Sequence, residues 1–423
     1  MAETLTITRL GARGDGVAEG PRGPVYVPFA LPGEVVTAEV DGERGRLVSV
    51  ETASPDRQTA ECPLFAHCGG CAGQHLAPQL YGAWKRDIVV QALAHAGIET
   101  DVMPLVDAHG AGRRRVTFHA RLIEGKAAVG FMAARSHALV PIAQCPVLAP
   151  GLAAAPEKAR ALAALLLPRG KPLDIQATET LGGLDIDIRG LGKADDRLSM
   201  ALVEAARTLD LARLSLHGEI LIERRPPAVA MGPAAVVPPP GGFLQATAAG
   251  EAALAALVTE ACAGARHVAD LFAGCGPFAL RLARQAKVHA VENGADALAA
   301  LQRALRNTQG LKPVTTEVRD LFRRPLLPLE LERFDAVVLD PPRAGAEAQA
   351  RQIALSRVPL AVCVSCDPGT FARDARILVE AGMHLTRVVP VDQFRYTHHV
   401  EVVGVFTRPA KQKHKNKGKG GRP

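Results

Sequence analysis

From about Pro238 onward, short apolar runs alternate with helical patterns, and this alternation restricts the fold more than any other feature of the chain. Strand, crossover helix and strand in repetition build a parallel sheet with helices on its faces. His267 to Ala273 reads as the first strand. It enters the turn Gly274-Cys275-Gly276, and the spacing predicts a helix over Pro277 to Gln285, with the proline in a favoured first-turn position. Val288 to Glu292, Thr315 to Asp320, Asp335 to Asp340 and Leu360 to Cys366 follow as further strands. Each ends in polar residues, and in open α/β sheets that carboxyl edge is where ligands bind. Glu292 lies about 20 residues beyond the first strand, where doubly wound folds hold a ribose through its hydroxyls.

A chain of 423 residues is too long for one core, so two to four domains are expected. Apolar residues at 48% and charged residues at 22% exclude a disordered chain, a collagen-like fibre and a coiled coil. Residues 1–54 carry β-like runs at Thr4 to Thr8, Val25 to Pro28, Glu34 to Val40 and Arg46 to Val50, punctuated by glycines. They predict a small β-barrel, a shape that often binds oligonucleotides. Residues 55–235 mix a Cys-rich loop, a helix over Leu80 to Ala96 and strands at Val116 to Leu122 and Ala127 to Met132. Residues 236–409 form the α/β part, and 410–423 a tail.

That tail holds Lys411, Lys413, Lys415, Lys417, Lys419 and Arg422 with no acid, and so accounts for most of the formal charge of +7. It reads as a disordered arm that holds phosphates through counterion release. The alternative is a solubilising tail. No apolar run reaches the ~18 residues of a membrane helix, and Met1 to Leu10 lacks the basic and apolar blocks of an export signal. The expectation is an unexported, cytoplasmic protein with no membrane partner.

Eight cysteines are too few for a disulfide scaffold, so clustered ones point to metal binding or catalysis. Cys62, Cys68 and Cys71 form C-x5-C-x2-C, with Cys145 as a remote fourth member. From spacing alone, four thiolates suit zinc or an iron-sulfur cluster. Cys262 and Cys275 have no such partners and read as structural, and Cys363 as a core residue. Cys366 lies where its strand opens to ligand and is followed by Asp367-Pro368. A thiolate there suits addition to an electron-poor carbon, provided that a positive neighbour or strand-end amides stabilise the anion.

The ordered set Asp270, Phe272, Gly274, Glu292, Asp320 and Asp340 resembles the nucleoside-methionine site of class I S-adenosylmethionine methyltransferases. Five segments then resemble the RNA 5-methyluridine methyltransferase family: Phe243-Leu244-Gln245-Ala246, Asp270-Leu271-Phe272-Ala273-Gly274, Asp340-Pro341-Pro342-Arg343, Ser365-Cys366-Asp367-Pro368 and His399-Val400-Glu401. The resemblance implies a Rossmann-like catalytic domain, preceded by a small TRAM-like or OB-like barrel and a central α+β domain. It implies S-adenosylmethionine bound by Gln245, Phe272, Gly274, Glu292, Asp320 and Asp340. Cys366 would be the nucleophile toward carbon 6 of uracil, and Glu401 the base that removes the carbon 5 proton. His398 and His399 are the alternative bases, expected on a strand with their side chains on opposite faces.

The ribosomal branch of the family carries a [4Fe-4S] cluster on the four-Cys pattern, which implies Cys62, Cys68, Cys71 and Cys145 as its ligands. The implied substrate is RNA, ribosomal RNA before the transfer-RNA T loop, and no obligate protein partner is evident. Two departures from the family pattern are Pro277, in place of a polar residue, and Phe394-Arg395-Tyr396-Thr397, in place of a Phe-Pro stretch. The rival classes are an exocyclic-amine methyltransferase, which needs no Cys366, and a non-catalytic RNA-binding or assembly protein. A nicotinamide enzyme would leave Cys366 unexplained. A 5-methylcytidine enzyme would place a second cysteine in the Asp340 tetrad.

Overall fold

The computed structural model describes residues 2–21, 23–169, 171–192 and 194–409, so the basic arm expected at 410–423 lies outside the described residues. Strands Ala2–Leu10, Gly16–Gly20, Gly23–Val27, Val35–Asp41 and Arg44–Thr52 close into a barrel. Leu5, Ile7, Ala18, Val25, Val27, Val36 and Ala38 fill it, and polar neighbours point outward, as the two-residue period of a strand requires. The sequence reading had no strand at Gly16–Gly20, because its two glycines look like turn signals. The packing explains the first of them: a Cβ on Gly16 would lie 2.6 Å from the Ala30 carbonyl oxygen.

The central sheet has seven strands, in the order Glu219–Glu223, Leu211–Leu216, Gly183–Arg189, Leu173–Thr180, Arg115–Ile123, Lys126–Met132 and Leu139–Pro141. Helices Ala155–Leu166 and Asp196–Thr208 bury Leu162, Leu166, Leu198 and Leu202 in one cluster with Phe118, Ile175, Ile186 and Leu214. Elsewhere on the sheet Arg213 donates to both oxygens of Asp185, at 2.9 and 2.7 Å, and to the Pro238 carbonyl at 3.0 Å. This buried pair fastens the linker that leads into Phe243 and Gln245.

The C-terminal sheet contains β1 (His267–Leu271), β2 (Lys287–Glu292), β3 (Val314–Val318), β4 (Ala336–Leu339), β5 (Leu360–Ser365), β6 (His384–Asp392) and β7 (Glu401–Thr407). Their spatial order is β3-β2-β1-β4-β5-β7-β6, and the short strand Val106–Asp107 extends the β6 edge in parallel. β1 to β5 pair in parallel, whereas β7 runs antiparallel between β5 and β6. Strands such as β4 and β5 are almost continuously apolar because both faces are covered. Helix Pro78–His95, close to its expected bounds, buries Val89 and Leu93 in one cluster with Leu271, Leu339 and Val402 of this sheet.

The helix expected over Pro277 to Gln285 is shorter than the spacing predicts, Ala279–Leu282 only. Tighter turns follow it, with Arg284 and Gln285 donating to the carbonyls three residues back, because the chain must reverse into β2 at once. No helix among the described residues is long and apolar enough to cross a membrane.

Candidate active site

At the carboxyl edge of the C-terminal sheet lies a cavity of ≈ 870 Å³. Gln245, Phe272, Gly274, Glu292, Asp320, Asp340, Cys366 and Glu401 all line it, so the structure brings together every residue expected at the cofactor and catalytic sites. β1 delivers Phe272 and Gly274 on a turn in which both residues have positive φ, 63° and 52°. β2 ends in Glu292, whose Oε2 accepts the Gly274 amide at 3.0 Å and whose Oε1 accepts the Gly294 amide at 2.9 Å. Just beyond β3, Asp320 accepts the amides of Phe322 and Arg323 at 3.0 and 3.3 Å. The rings of Phe272 and Phe322 are 5.5 Å apart and form an aromatic wall. Phe322 was missed in the sequence, where only its position two residues after Asp320 could have marked it.

β4 presents Asp340 and β5 presents Cys366. Gln245 Nε2 donates to Asp340 Oδ2 at 3.1 Å. Gln393 Nε2 donates to Gln245 Oε1 at 2.6 Å and to Glu401 Oε1 at 2.9 Å. Glu401 Oε2 is buried and has no hydrogen-bond partner. The carboxylate is not the charged edge residue that its sequence position could suggest: β7 is an interior strand and Glu401 is 3% exposed.

Burial, and then the charge of Asp340, pushes Glu401 up to about 8, against the opposing influence of Gln393, Arg343 and Lys85. Burial pushes Asp340 up to about 7, with the Gln245 hydrogen bond opposing. Asp270 on β1 is fully buried. Burial first, then Asp340, raises it to about 8, with the Ala279 amide opposing the rise of its carboxyl. Cys366 differs from the activated thiol expected there. Burial, then the charges of Glu401 and Asp340, pushes it up to about 11, and Arg343 is the positive neighbour that opposes them.

His398 and His399 precede β7 on a bend instead of standing on opposite faces of a strand, and their rings lie 4.1 Å apart. Burial, followed by His398, Arg343, Lys85 and Arg113, pushes His399 down to about 3. It is therefore a neutral partner for the Arg343 guanidinium, 3.0 Å from its Nε2, and a poor proton acceptor at neutral pH. The loop that carries both histidines is held from beneath by Lys85, which is fully buried, pairs with Asp392 at 2.9 Å and donates to the carbonyls of Thr397 and His399. Tyr81 adds a 2.5 Å hydrogen bond to Asp392 and accepts the Tyr396 amide.

A second cavity, of ≈ 370 Å³, is lined by Cys62, Cys68, Cys71 and Cys145 together with Arg113, Arg115 and Arg395. Burial raises Cys68 and Cys145 and pushes Cys71 up to about 11, and the neighbouring thiols add to each shift. Among the described residues, no group of three or more His, Cys, Asp or Glu side chains is arranged to hold a metal ion. Cys262, Cys275 and Cys363 are buried, and burial pushes the first two up to about 12. Cys275 nevertheless lines the large cavity.

A model of the family described as tRNA (Uracil-5-)-methyltransferase matches residues 240–409, the part of the chain that builds this cavity. The 23S rRNA (uracil(1939)-C(5))-methyltransferase RlmD of Chromohalobacter salexigens is 32% identical over 438 residues, covering 96% of this chain and 90% of that protein. The chain belongs to the RNA uracil-5-methyltransferase family. It is an S-adenosylmethionine-dependent RNA methyltransferase. An uncharacterized RNA methyltransferase of Brucella suis is 49% identical over 404 residues, 96% of this chain and 97% of that one. In fold, the chain matches the Pyrococcus abyssi tRNA (uracil-54, C5)-methyltransferase, solved with S-adenosyl-L-homocysteine, with a TM-score of 0.71 at 20% identity. The match covers 96% of this chain and 100% of that one.

Proposed function

We propose that this methyltransferase modifies carbon 5 of a specific uridine in ribosomal RNA through a covalent bond between Cys366 and the base. The observation that carries this reading is the convergence of Cys366 and Glu401 in the cavity that also holds Gln245, Phe272, Glu292, Asp320 and Asp340. An exocyclic-amine enzyme would need neither a thiol nor a buried carboxylate there.

Carbon 5 of uracil is a weak nucleophile. Addition of the Cys366 thiolate to carbon 6 moves an electron pair into the ring, leaving an enolate whose carbon 5 can accept a methyl group. S-adenosylmethionine, when bound, supplies that methyl on a sulfonium. Glu401 then takes the carbon 5 proton on its free Oε2. The electron pair returns to form the carbon 5–carbon 6 double bond, and the thiolate leaves. Because burial, and then the charges of Glu401 and Asp340, push the Cys366 thiol up, positive charge beside those carboxylates favours its ionisation. Glu292 would receive the ribose hydroxyls, the Phe272 ring would pack against the apolar body of the cofactor, and Asp320 would hold the adenine end.

The four cysteines that line one ≈ 370 Å³ cavity match in number and type the ligands of a [4Fe-4S] cluster, although their side chains are not arranged around a metal site in this structure. Four thiolates suit a single zinc as well, so the preference for the cluster rests on the four-Cys pattern shared with the ribosomal branch of the family. The cluster would be a structural anchor in residues 55–235 that shapes the substrate cleft. In this reading the barrel of residues 1–54 and the basic segment 410–423 hold RNA, and residues 236–409 do the chemistry.

Ribosomal RNA is favoured by the 32% identity to RlmD over nearly the whole chain, and by the barrel and four-Cys pattern together. Transfer RNA is the second reading, favoured by the whole-chain fold match to the uracil-54 enzyme. Reversed-phase analysis of 5-methyluridine in separately purified ribosomal and transfer RNA from a strain lacking the gene decides between them. The expected result is loss from ribosomal RNA alone. Loss from transfer RNA alone would reverse the assignment, and no loss from either would remove the activity.

A further inference from the structure

Gln393 stands at one end of the loop between β6 and β7, and Glu401 at the other. It is fully buried, lines neither cavity and belongs to none of the segments that carry the family resemblance. Its amide nitrogen has two hydrogens, and both are used: one on Gln245 Oε1 at 2.6 Å and one on Glu401 Oε1 at 2.9 Å. Its carbonyl oxygen faces the Thr247 amide at 3.4 Å. Gln245 in turn donates to Asp340 at 3.1 Å, so Asp340, Gln245, Gln393 and Glu401 form one continuous chain of hydrogen bonds along the cavity wall.

A second observation comes from the opposite side. Gly250 sits in the first turn of helix Ala248–Ala261, where glycine is a poor helix former. A Cβ added there would lie 2.6 Å from both Cβ and Oε1 of Gln393. The helix therefore gives up a side chain at the point where Gln393 needs the room.

We propose that Gln393 is a positioning residue for the methyl transfer: it fixes one oxygen of Glu401 so that only Oε2 faces the reacting base, and it ties that carboxylate to Gln245 in the cofactor wall. This rests on Glu401 being the proton acceptor. The amide donates to the charged form of the carboxylate and so favours it. The other charged groups that act on Glu401 are Asp340, which disfavours its ionisation, and Arg343 and Lys85, which favour it, while the charge of Glu401 in turn raises the facing Cys366 thiol.

Loss of the donor makes Glu401 harder to ionise, so the acid limb of the kcat–pH profile moves to higher pH. Gln393→Leu removes the donor, and Gly250→Ala displaces it while leaving it in the chain. Both are compared with Glu401→Gln, using methyl-tritiated S-adenosylmethionine and the RNA substrate. Expected for both are a drop in kcat of about ten- to a hundred-fold near neutral pH, the size of one hydrogen bond to a charged group, and an acid limb displaced upward. A labelled protein-RNA conjugate should also accumulate. Reduced activity with an unmoved acid limb and no conjugate would show that Gln393 only packs. If Glu401→Gln itself turned over normally, the base assignment would fail and the inference with it. If Glu401→Gln stalled while both other variants kept the wild-type profile, only the role of Gln393 would fall.

Discussion

Replacing Glu292 with alanine removes the side chain that ties two cofactor turns together. Its Oε2 holds the Gly274 amide at 3.0 Å and its Oε1 the Gly294 amide at 2.9 Å, so one carboxylate joins the turn after β1 to the turn after β2. In the proposed function the same oxygens would accept the ribose hydroxyls. A hydrogen bond to a charged group contributes about 1.5 to 3 kcal/mol. The two amides lie on turns that water can reach, so most of their loss is made up by solvent, and the ribose contact remains as the net loss. That corresponds to roughly ten- to a hundred-fold weaker binding. Glu292→Gln keeps an acceptor for one amide but turns an NH2 group toward the other, and should fall between wild type and alanine. Isothermal titration with S-adenosylhomocysteine measures this without RNA or chemistry. Wild-type affinity in Glu292→Ala would take Glu292 out of the cofactor site and refute the ribose assignment.

Anaerobically purified enzyme should absorb broadly near ~400 nm and contain iron and sulfide, and Cys68→Ser should abolish both. Stoichiometric zinc without iron would overturn the cluster while leaving its four ligands in place. The alkylation rate of Cys366 in the cofactor-free enzyme, followed by peptide mass spectrometry, should keep rising beyond pH 9, because the thiol is pushed up to about 11. A plateau near ~8.5, the value of an ordinary thiol, would contradict the combined effect of burial, Glu401 and Asp340. Glu401 is raised on folding from 4.5 to about 8, so its buried neutral form contributes full stability below 4.5 and loses that contribution as pH rises toward 8. The melting temperature of Glu401→Gln, measured against wild type, should therefore gain steadily between pH 5 and 8, whereas a constant difference would mean that Glu401 is not raised.

Most of the catalytic sheet was legible in the sequence because β1, β2, β4 and β5 are largely buried and so appear as short apolar runs, each closed by a polar or glycine residue, whereas β3 at the sheet edge is half-exposed and polar. Of the central sheet only Arg115–Ile123 and Lys126–Met132 were legible. Its strand Leu211–Leu216 is fully buried but carries Arg213 and Ser215, whose polarity is satisfied by Asp185 and Asp187 on the adjacent strand. Such pairing cannot be read from one segment alone. The eight residues expected at the cofactor and catalytic sites all line the large cavity, and each could be picked out because it sits at a strand end or in a short motif. Gln393, Lys85 and Phe322 were missed because their roles depend on contacts across the fold, as when Lys85 reaches a loop more than 300 residues away. The thiol at 366 was placed but its state was not, since the carboxylates that raise it come from β4 and β7.

In the proposed mechanism Cys366 and Glu401 act at opposite ends of one covalent cycle. Denaturing electrophoresis of Glu401→Gln after incubation with RNA and methyl-tritiated S-adenosylmethionine tests it directly. The account predicts a protein-RNA conjugate that carries the label, because carbon 5 has been methylated but cannot lose its proton, and no conjugate with Cys366→Ala. Slow leakage to product is expected, since a general base contributes roughly 100- to 10,000-fold over water. A Cys366→Ala enzyme that still made 5-methyluridine, or a Glu401→Gln enzyme with wild-type turnover and no conjugate, would contradict it.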